Sequence, residues 1–248
     1  MSGDISRRKL FRVATAAGTV GAVSALPLSG TGFAQEASAP APHGGRPLVP
    51  AAEKPHYLFF NLLEAAFIEA AAARLIPNED GTPGAIEAGV PVYIDRQLAG
   101  AYGGGAMMYM QGPWREGTRS QGYQLPFTPA QVYRLGMRAL AKHVASVHDG
   151  ATFDILPAAS QDRILHDMQT GAIELEPVPS AVFFSTLLAN AVEGFFVDPI
   201  YGGNRDMAGW KLVGFPGAHA SYAEWVDRHG VKFDRPPISI ADHGHDHG

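Results

Sequence analysis

No cysteine occurs among the 248 residues. That removes disulfides, thiolate nucleophiles, cysteine-ligated iron–sulfur clusters and covalently attached c-type haem together. Charge is also scarce: Asp, Glu, Lys and Arg make up 17%, below the ~25% of an average soluble domain. The net charge is −5, so there is no basic footprint and nucleic acid is excluded as a partner. Strand patterns are nearly missing, with 173–175 the best candidate, and no acid or histidine carries a recognisable nucleophile motif. With 46% hydrophobic residues, such a chain either encloses a large core or has part of its surface covered by another protein.

What is present begins with an address. Arg7 and Arg8, with Ser6 before them, precede an uncharged stretch rich in Ala, Gly, Thr and Val, and Gly32-Phe33-Ala34 supplies small residues for a signal peptidase. The paired arginines resemble a twin-arginine (Tat) export signal over 1–34, which directs the chain to the periplasm through the Tat translocase. The apolar stretch is weakly hydrophobic and shorter than the ~20 residues of a membrane span. A retained anchor is the alternative. Residues 35–55, with Pro40, Pro42, Pro47, Pro50 and Pro55, read as an extended, disordered linker.

Residues 56–234 read as a mainly α, compact multi-helix domain with long Gly-, Pro- and aromatic-rich loops. The stretch 55–75 is apolar nearly all round and predicts a central, buried helix. Glu64 and Glu69 on it suit general acid–base or metal chemistry, or pairing with Arg74 or another basic group. Thr82-Pro83 can open a short helix, and 90–100 predicts another. The glycines at 103–105 lack the lysine and preceding strand of a phosphate loop. Asn78, Glu79 and Asp80 lack the spacing of a calcium loop. Thr128-Pro129-Ala130-Gln131 forms a capping box before an amphipathic helix that Gly150 closes. Its His143 and His148, five apart, diverge. Pro157 and Pro179 open two more helices, giving about six in all. From Arg235 hydrophobicity falls, and residues 235–248 read as a disordered tail in which His243, His245 and His247 offer a weak metal site.

The stretch the rest serves is 193–218, EGFFVDPIYGGNRDMAGWKLVGFPGA. Turn makers alternate there with Phe195, Phe196, Tyr201, Trp210 and Phe215. At roughly 1.5–3 kcal/mol for each buried aromatic, the loop must fold onto its own helices or onto a second protein. Tyr201, Asn204, Arg205 and Trp210, with Tyr102, Tyr109 and Trp114, match the Tyr, Trp and Arg anchors of protein interfaces and form the predicted docking surface. Two rival readings stay open. One is a stand-alone periplasmic hydrolase acting on carbohydrate through Glu64, Glu69, Asp198 or His166; the other is a sugar- or metal-binding module.

A series of motifs carries a resemblance. It comprises Arg7-Arg8, Leu75-Ile76-Pro77, Thr82-Pro83-Gly84-Ala85, Tyr93-Ile94-Asp95-Arg96-Gln97-Leu98, Gly122-Tyr123-Gln124-Leu125 and Gln161-Asp162. Glu193-Gly194-Phe195-Phe196, Asp198-Pro199-Ile200-Tyr201-Gly202-Gly203-Asn204 and Gly209-Trp210 complete it. The chain thereby resembles the gluconate 2-dehydrogenase subunit 3 family, from the signal to about Trp225. The resemblance implies a non-catalytic small subunit with no cofactor of its own. It would carry the Tat signal for, and stabilise, an FAD-binding dehydrogenase large subunit whose electrons pass to a multihaem cytochrome c subunit at the membrane. The histidine tail is not expected of the family.

Overall fold

The computed structural model describes residues 56–244 apart from 80, 116, 119 and 120. Arg7, Arg8, the signal, the linker, His245 and His247 lie outside the described residues, as does the side chain of His243.

Among the described residues six α-helices follow one another: α1 (Leu62–Leu75), α2 (Val90–Ala99), α3 (Pro129–Val147), α4 (Ala158–Thr170), α5 (Ser180–Phe196) and α6 (Ala208–Val213). Among the described residues there is no strand, only isolated bridges such as Gly217 with Ile238. Residues 173–175 form no strand either; Ile173 and Leu175 are buried as irregular chain between α4 and α5.

The helix at the centre is α5, not α1. It packs against α1, α2, α3, α4 and α6, and Phe183, Leu187, Ala191 and Phe195 are wholly buried. Its sequence has apolar residues on most faces, so it can be surrounded. Two glycines set how closely neighbours approach. A Cβ on Gly136 of α3 would lie 2.6 Å from Phe183 Cγ, and one on Gly194 of α5 would lie 2.6 Å from Tyr93 Cδ1 of α2.

Helix α1 starts later than its apolar run predicts. Asn61 accepts from the amides of Leu63 and Glu64, and the Glu64 carboxylate returns a bond to the Asn61 amide, so Asn-x-x-Glu is a capping box. Residues 56–60 are not helical. They are held by Asp95, a carboxylate 1% exposed on α2 that accepts the amides of Leu58 (2.7 Å), Phe59 and Phe60 (both 2.9 Å). Arg74 pairs with Asp162 of α4 through two bonds of 2.6 Å rather than with Glu64 or Glu69.

Helix α3 matches its sequence signals closely. Thr128 and Gln131 form the capping box, Pro129 occupies the first turn, and Val132, Leu140 and Val144 are buried. Val147, one step further along the apolar pattern, is 60% exposed because the core ends beneath Val144. Thr82-Pro83 opens no helix: residues 85–89 are turns that lead into α2.

Candidate docking loop

From the end of α5 the chain folds back on its own helix. Val197 is extended, and the Asp198 side chain accepts the Ile200 amide at 3.0 Å, fixing a single 3-10 turn over Pro199–Tyr201. Gly202 reverses direction at φ 94°. Gly203 then lies flat on α5: a Cβ there would overlap the Gly194 carbonyl, and one on Gly209 would overlap the Phe195 carbonyl. This is the physical content of the Gly202-Gly203 pair and of Gly209-Trp210. The backbone of the loop is packed against the backbone of the helix before it.

Asn204 holds this return in place and is 0% exposed. Its amide donates to Gly194 O (2.8 Å), its Nδ2 donates to Val197 O (2.9 Å), and its Oδ1 accepts the Gly209 amide (2.8 Å). Asn204, Asp206 and Met207 all have positive φ, between 44° and 56°. Such a conformation costs a non-glycine residue about 1–3 kcal/mol. The Asn204 bonds and the Arg205 amide, which donates to Ala88 O at 2.9 Å, impose it.

These contacts correct two members of the predicted docking set. Asn204 and Trp210 face inward. Trp210 is 6% exposed, donates from Nε1 to Phe196 O at 2.7 Å, and stacks edge-on against Phe215. Both shape the loop instead of presenting it. What the loop presents is Tyr201 (52% exposed), Ile200 (53% exposed) and Arg205.

The earlier aromatics divide differently. The Tyr102 hydroxyl donates to Asn190 Oδ1, which also receives the hydroxyl of Tyr133, and Asn190 in turn donates to Glu193. Burial raises the pKa of both tyrosines. Tyr102 is therefore part of an internal network that reaches the surface. Tyr109 is 79% exposed next to exposed Met107, and Trp114 is half-buried beside Gly112.

Asp198 has a second duty. Ser239 donates its hydroxyl to Oδ1 at 2.6 Å and Ile240 its amide to Oδ2 at 2.9 Å. Burial alone would raise the carboxyl's pKa, but the Ser239 hydroxyl and the Ile240 and Ile200 amides outweigh it, leaving the group below its ordinary range. The Ala218 amide donates to Ile238 O on the same side. Residues 238–240 are thus clasped to the loop.

The groups a hydrolase would need are dispersed. Glu64 caps α1 and pairs with Arg134, which lies over the Phe59 ring. Glu69 accepts the Tyr57 hydroxyl at 2.6 Å, and burial together with that carboxylate raises the tyrosine's pKa. Asp198 is saturated as described, and His166 lies exposed beside Asp167. An apolar cavity of about 470 Å³ opens between α1, α3 and residues 150–154, with Asp154 and the Arg134-paired Glu64 on its wall. Among the described residues no three histidine or acidic side chains gather around a possible metal position, and no helix is long and apolar enough to cross a membrane.

Two residues that matter here were not singled out for these roles in the sequence. Asp95 could have been noticed as the one acid in the otherwise apolar turn Tyr93-Ile94-Asp95. Arg96, whose guanidinium lies against Gly202, offered no local signal, since that contact depends on Gly202 arriving from a hundred residues away.

Comparison with known proteins gives one finding. The family model described as Gluconate 2-dehydrogenase subunit 3 matches residues 63–217, from the first turn of α1 through the loop after α5 to Gly217. No curated protein and no solved structure matches the chain.

Proposed function

The chain belongs to the gluconate 2-dehydrogenase subunit 3 family, and from that membership we propose that it is the non-catalytic small subunit of a periplasmic, membrane-associated FAD-dependent dehydrogenase acting on a sugar or sugar acid. In this reading it binds no cofactor. FAD resides in the large subunit, haem c in a cytochrome subunit, and the Arg7-Arg8 signal takes the small and large subunits together through the Tat translocase. The absence of cysteine agrees, because the chain can hold neither the haems nor a cluster.

The observation that carries the reading is the loop at 198–205. Its interior is fixed by Asn204, Gly203 and Trp210, while Ile200, Tyr201 and Arg205 stand out from it. Stable interfaces concentrate their energy in such rigidly presented aromatic and arginine anchors. A solvated loop gains nothing from left-handed backbone at three non-glycine positions; a loop that must hold a fixed shape against a partner does.

Two measurements test this. Co-expressed with the large subunit, a chain carrying Ile200→Ala and Tyr201→Ala is expected to lose most of its co-purifying flavoprotein while keeping its own thermal transition. Undiminished pairing removes the docking role. Separately, Arg7→Lys with Arg8→Lys is expected to leave the flavoprotein in the cytoplasm, and its normal appearance in the periplasm removes the export role.

A further inference from the structure

The docking loop does not stand alone on its face of the molecule. Arg96, on the exposed side of α2, lies across Gly202, so close that a Cβ on that glycine would collide with its guanidinium. Arg205, on the loop, lies across Gly89, with its Nη2 3.2 Å from where a Cβ would stand. The two shelves abut, for the Gly202 carbonyl is 3.0 Å from the same Gly89 position. Both glycines have positive φ, 94° and 78°. Two guanidiniums are thus set against adjoining glycine backbone, each crossing from its own element to the other's.

Neither guanidinium has an ion pair or hydrogen bond among the described residues. Two nearby carboxylates are engaged elsewhere, and the exposed Asp206, next to Arg205 in the chain, forms no ion pair with either guanidinium among the described residues. Glu87 accepts from Asn78 and the Gly84 amide, and Asp198 from Ser239, Ile200 and Ile240. A helix start and a glycine loop therefore converge to hold two unneutralised positive charges beside the exposed Ile200 and Tyr201. In a chain of net charge −5 this is local excess of the opposite sign. Arginine's planar fork loses little freedom on pairing when its stem is already packed, and it matches carboxylates in bidentate fashion.

We propose that Arg96 and Arg205 form a two-point receptor for carboxylates on the partner subunit, so that the surface this chain docks against is acidic where it meets α2 and the loop. The inference rests on the docking reading above and adds the chemistry of the partner to it. Ile200 and Tyr201 supply apolar contact at the centre; the arginine pair sets orientation and makes association sensitive to salt.

The experiment uses the intact complex, isolated through a tag on this chain. In a variant with Arg96→Lys and Arg205→Lys, a carbodiimide joins either lysine amine to a partner aspartate or glutamate in direct contact, and peptide mass spectrometry reads the bond. Cross-links from both positions to acidic residues of the large subunit are the expected result. Complex that stays whole but yields no such link overturns the proposal. In parallel, Arg96→Glu with Arg205→Glu is expected to weaken subunit retention about 100-fold, with loss steepest at low ionic strength. Neither side chain makes an ion pair or hydrogen bond among the described residues, so the chain is expected to keep a cooperative thermal transition. If that reversal leaves retention intact while Ile200→Ala with Tyr201→Ala abolishes it, docking stands and the acidic partner face is refuted. If neither pair of substitutions matters, the docking reading itself fails. Loss of binding to phosphatidylglycerol vesicles by the reversed variant, with the complex intact, assigns the arginines to a lipid surface and likewise refutes the proposal.

Discussion

Replacing Asp95 is the sharpest test of how the fold begins. Its carboxylate, 1% exposed, accepts three consecutive amides from the segment that leads into α1. In Asp95→Ala the buried Phe60 amide loses the one acceptor it has among the described residues, which costs about 1–3 kcal/mol. The Leu58 and Phe59 amides are partly solvated and recover water, so each forfeits only about 0.5–1.5 kcal/mol. The sum is about 4 kcal/mol, which for a domain of this size lowers the melting temperature by about 8–16 °C. Asp95→Asn separates the bonds from the volume. Oδ1 still receives Phe59 and Phe60, but the new Nδ2 faces the Leu58 amide donor to donor, so about half the loss is expected. Thermal and urea unfolding measure both variants, and hydrogen exchange at 58–60 locates the effect. A change below about 0.5 kcal/mol in Asp95→Ala, or a larger loss in Asp95→Asn than in Asp95→Ala, refutes the reasoning.

Two further outcomes follow from the loop. Asn204→Ala removes two side-chain bonds at a fully buried site and puts a methyl-bearing residue at φ 44°. About 3 kcal/mol of destabilisation is expected, and Asn204→Gly, free of the backbone cost, should recover about 1 kcal/mol of it on thermal unfolding. Acidification should release the C-terminal clasp. The Asp198 pKa is lowered in the folded chain, so its contribution is fully present above the unfolded carboxyl value of ~3.9 and fades as pH falls through the folded one. A lower protection factor for the Ile240 amide below about pH 4, preceding global unfolding, is the expected signature; protection unchanged to the point of unfolding contradicts it.

How much of this the sequence disclosed depended on whether the cause was local. Helices α3 and α4 could be read because their ends are written in neighbouring residues: Thr128 with Gln131, Pro157, and Gly171, which does take positive φ. The start of α1 was also written locally, as Asn61-x-x-Glu64, but an apolar run on both sides masked it. Trp210 and Tyr201 look equally like interface anchors in the sequence. What separates them is the Phe196 carbonyl that takes the indole N–H, a partner fourteen residues distant whose direction only the folded helix fixes. The same holds for the glycines at 203 and 209, whose necessity lies in the backbone they touch. Arg205 was legible as an interface residue, but its pairing with Arg96 was not, because that depends on Gly89 and Gly202 meeting in the folded chain.

Asp198 accepts from Ile200 within the loop and from Ser239 and Ile240 forty-odd residues downstream. One carboxylate is therefore the hinge pin of two leaves, one inside the matched family region and one beyond it. Cutting the chain at Arg235 would strip that pin of two of its three partners and loosen Tyr201, even though nothing in the proposed docking face itself had been touched. A purification tag that drags on the C-terminal end would be felt at the same place, and a subunit that pairs poorly after such handling would have been altered at its latch, not at its contact surface.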